Sequence, residues 1–289
     1  MATRNPSVRI SPIWLVLIGI ASVQLGAGIA KTLFDEVDPE TIVWLRLVTS
    51  AVVLVAIARP RLRGRARVDW QVVLAFGLAL GLMNWAFYQA LARIPLGLAV
   101  TIEFIGPLSL AVLGSRRPRD LVWVALAGVG VLLLGVQPGD LNWAGVGFAL
   151  LAAATWAAYI LLSAQTGRRW QGVDGLALAS VVAALLLTPV TLGRYADQLD
   201  DARVLVLGAL VGLLSSVIPY TCELVALRSL RPAVFSILMS LEPAAAALAG
   251  LVVVGEVLEP LQLVAIACVV VASVGATRSG ATISEPAPD

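Results

Sequence analysis

The sequence predicts an all-α polytopic membrane protein with ten transmembrane helices in two inverted five-helix repeats, and three observations predict it. First, 60% of the 289 residues are apolar and only 13% are charged, with a mean hydropathy of +0.94, so a water-soluble fold could not hide the apolar surface. Second, apolar runs follow one another with little chain between them. Each is near the roughly 20 residues needed to cross a bilayer core of about 30 Å. Third, the gapless stretches from Ala90 to Pro107 and from Ala226 to Pro243 both start with Ala-Leu, both end in proline, and set Ile94 opposite Leu230.

Taken in order, the first run, 13–33, follows Arg4 and Arg9 and contains Gly26-Ala27-Gly28, a small-residue pattern that a signal peptidase could use. The run continues to Leu33, and its removal would leave an odd number of helices, so it is read as an uncleaved helix. Runs 41–58, 70–91, 96–113 and 121–137 complete the first half; runs 143–163, 175–193, 204–227, 232–254 and 260–276 form the second. Pro39, Pro95, Pro232 and Pro260 stand at or just before run starts, where a missing N–H costs nothing, and Pro60, Pro118 and Pro138 follow run ends. The matching stretches are offset by 136 residues, which lays the fourth helix on the ninth. Each half then holds an odd number of helices, so the second must lie upside down relative to the first. The expected organisation is a first repeat over 13–137, a second over 143–276, and a tail over 277–289.

Charge sets the expected orientation, because cytoplasmic loops are enriched in Lys and Arg. Of the nineteen arginines and one lysine, fifteen fall on the side of the N-terminus, five of them in the single loop holding Arg59, Arg61, Arg63, Arg65 and Arg67. Lys31, Arg93, Arg194 and Arg203 lie on the other side, with acids that include Asp35, Glu36, Asp38 and Glu40. Both termini are therefore expected in the cytoplasm. The arginine loop is read as a topology signal that also meets anionic lipid headgroups, not as a nucleic-acid surface. Cys222 and Cys268 both fall in apolar runs and read as small packing residues.

Functional residues are sought where the bilayer makes them expensive. An ionisable group at helix centre costs about 2.5–3.5 kcal/mol on insertion scales, so it faces the bundle interior with a partner or a ligand. Arg46, Glu103, Glu223 and Glu242 qualify, and Glu103 and Glu242 lie near the middle of the fourth and ninth helices. Pro107 removes the N–H that would bond the Glu103 carbonyl, and Pro243 does the same to Met239, leaving a freed carbonyl near each carboxylate. A zwitterionic amino acid needs a cation for its carboxylate and an anion or carbonyls for its ammonium. Arg46 supplies the first, although a structural pair with an acid would explain it equally; Lys31 is expected to snorkel to the interface. Gln24, Asn84, Tyr88, Trp156, Tyr159 and Tyr220, with Trp85, Gln89 and Thr221 at similar depth, are candidates to shape the pocket. Ala244 to Ala247, Ala249 and Gly250 read as a close-packing surface. Glu103, Glu242 and Glu223 are the candidates to exchange a proton. Glu103 is favoured because Ala99 and Gly106 beside it leave room for a ligand.

The chain has no histidine, no aspartate inside any run and no Gly-Lys-Ser phosphate loop, so an ATP-driven pump or an intramembrane metalloprotease is poorly supported. No enzyme activity, cofactor or metal is expected. The expected partners are a small-molecule substrate and the bilayer, without nucleic acid; oligomeric state is left open.

Several local patterns resemble a known family over nearly the whole chain: Ser22-Val23-Gln24 with Ala30-Lys31, Leu45-Arg46-Leu47, Pro95-Leu96-Gly97, Glu103-Phe104-Ile105-Gly106-Pro107, Ser115-Arg116-Arg117-Pro118, Trp156-Ala157-Ala158-Tyr159-Ile160, Pro219-Tyr220 with Glu223, Met239-Ser240-Leu241-Glu242-Pro243, and Gly255-Glu256. The sequence resembles the drug/metabolite transporter superfamily, EamA type, and within it the bacterial threonine and homoserine exporters. That resemblance implies a bacterial inner-membrane carrier of ten helices in two inverted repeats. It also implies export of threonine, homoserine or similar small neutral amino acids, with proton coupling as the expected drive. Export of aromatic compounds or drugs, or an uncoupled facilitator or channel, are the alternatives.

Overall fold

A computed structural model describes residues 11–113, 121–134, 142–227 and 238–280. These residues hold no strand, and six helices among them are long and apolar enough to cross a membrane. The first three are α1 (Pro12–Thr32), α2 (Pro39–Ala58) and α3 (Arg67–Leu91); Pro12 and Pro39 sit in first turns, where their rings preset φ. The fourth apolar run is split into α4 (Leu96–Glu103) and α5 (Ile105–Leu113). The break at Phe104 follows from Pro107, which denies the Glu103 carbonyl its donor, and the ladder resumes with Leu108 N–H on the Phe104 carbonyl at 3.2 Å.

After α6 (Leu121–Leu134) come α7 (Trp143–Arg169), capped by Asn142 accepting from Gly145 N–H at 3.0 Å, and α8 (Asp174–Arg194). The next span consists of α9 (Ala202–Gly212), a π-helical turn at Leu213–Val217, and α10 (Ile218–Leu227). It is followed by α11 (Glu242–Ala249), a second π turn at Gly250–Val254, and α12 (Pro260–Gly280). Among the described residues the apolar stretches of α4–α5, α6, α11 with its π turn, and α12 are shorter than the six long spans. The Ser115 to Pro118 motif and most of the 277–289 tail fall outside the described residues.

The helices pack as α3 on α7, α1 on α10, α3 on α8, α2 on α9, α2 on α8, α4 on α11 and α6 on α12, with α4 and α5 also on α7 and α11 on α1. Close approach needs small residues. Gly77 and Gly81 of α3 meet α8, where a Cβ at Gly77 would stand 2.8 Å from the Ala179 carbonyl oxygen. Gly208 and Gly212 of α9 meet α2, each positioned so that a Cβ would lie 2.7 Å from Leu45 Cβ or Thr49 Cβ. Both are glycines at i and i+4, and each pair lets a neighbouring helix come within backbone contact. One apolar core runs through α1, α2, α3, α4, α7 and α8, with Ile42, Phe76, Tyr88 and Leu98 buried in it.

Candidate functional site

At the centre of the bundle lies a cavity of about 130 Å³, bordered by α1, α2, α3, α4, α7, the 213–217 turn, α10 and the start of α11. Of the sequence-predicted residues, Gln24, Arg46, Asn84, Glu103, Trp156, Tyr159, Tyr220 and Glu242 all line it. The helix breaks bring several of them there. Glu103 is the last residue of α4, at a carbonyl-rich helix end that favours cations, and Glu242 is the first of α11. Proline thus opens the backbone within one residue of each acid. Glu103 is partly exposed to the cavity, whereas Glu242 is buried at its edge.

Arg46, from α2, lines the same cavity and is 6% exposed. Its Nε donates to Ser216 Oγ at 3.1 Å and its Nη2 to the Ser215 carbonyl at 3.0 Å. The guanidinium lies over the Tyr88 ring, 5.6 Å from its centroid. None of the ion pairs among the described residues includes Arg46, and the hydrogen bonds of its side chain there go to neutral groups.

The polar wall is completed by Gln24 and Asn84. Asn84 Nδ2 donates to the Leu80 carbonyl at 2.8 Å, one turn back on its own helix. Gln24 is 4% exposed, and its Oε1 has no hydrogen-bond partner among the described residues, an arrangement that suits a ligand donor. The aromatic wall is held by ring contacts, Trp156 edge-on to Phe104 at 5.5 Å and Tyr159 tilted against Phe76 at 5.1 Å.

Four sequence expectations are revised. Tyr88 does not line the cavity; it is fully buried beneath Arg46 and meets Phe34 edge-on. Gly106 does not make room for a ligand, since a Cβ there would collide with the Ala153 backbone of α7, and Ala99 is fully buried. Those two positions serve helix packing instead. Trp85, Gln89 and Thr221 point elsewhere: Trp85 packs on Phe148, Gln89 donates to Glu40, and Thr221 bonds back to the Val217 carbonyl. Lys31 has Glu256 within ion-pair distance, a partner that the snorkelling expectation did not include. The Glu223 side chain falls outside the described residues.

Beyond the residues that line the cavity, Lys31 forms an ion pair with Glu256. Lys31 Nζ lies 2.6 Å from Glu256 Oε1 and donates to the Ile94 carbonyl at 2.5 Å, while Leu96 N–H donates to Glu256 Oε2 at 2.8 Å. Gly255, at φ 78°, turns the chain so that Glu256 N–H returns to the Gly250 carbonyl at 3.0 Å. Ala27 and Val100 line the cavity, and Lys31 and Leu96 stand four residues from them, about 6 Å along their helices. Ser215 and Pro219 are among the lining residues that the sequence reading did not single out as functional. Pro219, four residues after Ser215, was the available signal.

Residues 143–278 match the EamA-like transporter family. The threonine/homoserine exporter RhtA of Escherichia coli K12 is 39% identical over 94% of this chain and 94% of its own, and the protein of the same name from Salmonella typhimurium LT2 is 38% identical over the same shares. An uncharacterized transporter, YwfM of Bacillus subtilis 168, is 27% identical over 68% of this chain and 70% of its own. A solved crystal structure at 19% identity superposes with a TM-score of 0.63, covering 94% of this chain and 99% of that one, and shares its fold.

Proposed function

This chain belongs to the EamA-like transporter family, and from that premise we propose that it exports small neutral amino acids such as threonine and homoserine, drawing on proton entry. The observation that carries the proposal is the charge layout of the cavity. A guanidinium and two carboxylates at broken helix ends line the same cavity, the mix of charges a zwitterion requires. Size points the same way. A cavity of about 130 Å³ compares with about 150 Å³ for one that admits benzene, whereas drug-sized ligands occupy pockets from about 300 Å³ upward. A small amino acid therefore fits the reading better than an exported drug.

The multi-pass architecture is proposed to be two inverted repeats, 13–137 and 143–276, of five membrane-crossing helices each. Its support lies in the packing. If α1, α2, α3, α4–α5 and α6 are exchanged with α7, α8, α9–α10, α11 and α12, the pairing of α3 on α7 becomes α10 on α1, that of α3 on α8 becomes α9 on α2, and that of α4 on α7 becomes α11 on α1. The pairs α2 on α8, α4 on α11 and α6 on α12 return themselves. The glycine pairs of α3 and α9 exchange places too. Charge bias puts both termini in the cytoplasm, and so sets the Lys31–Glu256 contact on the outer side. Alternating access then requires that contact to break.

Counterflow in liposomes tests the transport reading. Labelled threonine should accumulate transiently against unlabelled threonine or homoserine trapped inside, and a channel would show no such overshoot. Failure of both amino acids to drive it would remove the substrate assignment. In inverted membrane vesicles the 277–289 tail should be open to added protease.

The outer contact is tested separately. With Cys222 and Cys268 replaced by alanine and a cysteine placed at Ala27, Glu256→Gln should raise labelling by a membrane-impermeant thiol reagent from outside severalfold, because Lys31 loses its ionic partner. Unchanged labelling would mean that the contact does not close the cavity.

A further inference from the structure

The Ser215 carbonyl is available to Arg46 for a reason written in the chain. In an α-helix that oxygen would accept from the N–H four residues on, but residue 219 is proline and has none. The helix widens there into the Leu213–Val217 π turn, a form that recurs at functional sites. Gly26 of α1 packs directly on this turn, with Leu214 Cβ 3.0 Å from where a Cβ would stand, and Ser22 Oγ donates to the Leu214 carbonyl at 2.7 Å, so the turn is held from behind.

Ser216 Oγ and the Ser215 carbonyl occupy the Nε and Nη2 edge of the guanidinium, and the Tyr88 ring supports its face. Among the described residues no hydrogen bond occupies the other edge, Nη1 with the second Nη2 hydrogen, and Arg46 lines the cavity where a ligand would sit. Both anchors are neutral. They fix the plane of the fork without cancelling its charge, as an acid partner would.

We propose that Ser216 and the Ser215 carbonyl, the latter released by Pro219, are positioning groups that hold Arg46 as a receptor for the substrate carboxylate, and that they set the preference for carboxylate-bearing substrates. The inference rests on the amino-acid reading above.

The experiment is competition against labelled-threonine counterflow by unlabelled threonine and by L-threoninol, which has a hydroxymethyl group in place of the carboxylate. In Ser216→Ala, and independently in Pro219→Ala, which restores the N–H, the threonine concentration for half-competition should rise on the order of tenfold, as for loss of one hydrogen bond to a charged group. The threoninol value and the maximum rate should not move. Ser216→Thr keeps a hydroxyl and should keep the threonine value. If threonine and threoninol weaken together, the role is structural and the inference fails; it fails equally if both alanine variants match the unaltered protein. Absence of threonine counterflow in the unaltered protein is a different result, and it removes the transport reading together with this inference.

Discussion

Arg46→Lys should lower threonine counterflow by about tenfold or more while folded yield stays normal. The guanidinium uses one edge for Ser216 Oγ and the Ser215 carbonyl and lies across the Tyr88 ring, so it can be held and still bind. An ammonium group keeps the charge but is a single point. It cannot satisfy two fixed acceptors with one edge and offer a second, parallel pair of donors to a carboxylate. Apparent affinity in counterflow is the measurement, read beside the detergent-extracted yield of monodisperse protein. An unchanged affinity would rule out the binding role, and a collapse of yield with no soluble protein would make Arg46 a structural residue.

Glu103→Gln should abolish accumulation driven by a pH gradient and leave exchange of substrate for substrate. Glu103 ends α4, where the last-turn carbonyls carry partial negative charge and Pro107 has removed the donor to its own carbonyl. An ammonium group is favoured there, and so is a proton, and one group that must hold one or the other couples the two flows. The amide keeps shape and hydrogen bonding but does not titrate. Glu242 lines the same cavity from the start of α11, so Glu242→Gln belongs in the same experiment, with gradient-driven uptake into inverted vesicles measured beside counterflow. If both variants accumulate substrate as the unaltered protein does, neither acid is the coupling site.

Much of this was legible in the sequence because the bilayer imposes strict rules on a chain. The apolar runs of the described region are helical, although the run 96–113, read as one helix, is split at Phe104, where Pro107 leaves the Glu103 carbonyl without its donor. The cost of intramembrane charge singled out Arg46, Glu103 and Glu242 before any contact was known, and all three meet at one cavity. The same reading misplaced Gly106 and Ala99, because a small residue on a helix can equally serve a ligand or a neighbouring helix. It also left Lys31 without its partner, since Glu256 is 225 residues away in sequence.

The sequence by itself determined the solvent, the helical segments, the carbonyls that proline leaves without a donor and the short set of charged residues that must face inward. Those follow from local chemistry: hydropathy over about 20 residues, a missing N–H, and a charge too costly to show to lipid. Only the tertiary structure decided what each of those groups faces. That Arg46 is anchored by two neutral acceptors, that Tyr88 lies under it and not in the cavity, and that Lys31 meets Glu256 are matters of long-range packing. The glycine pairs of α3 and α9 allow close approach, but which helix comes close is set by how all the spans pack together.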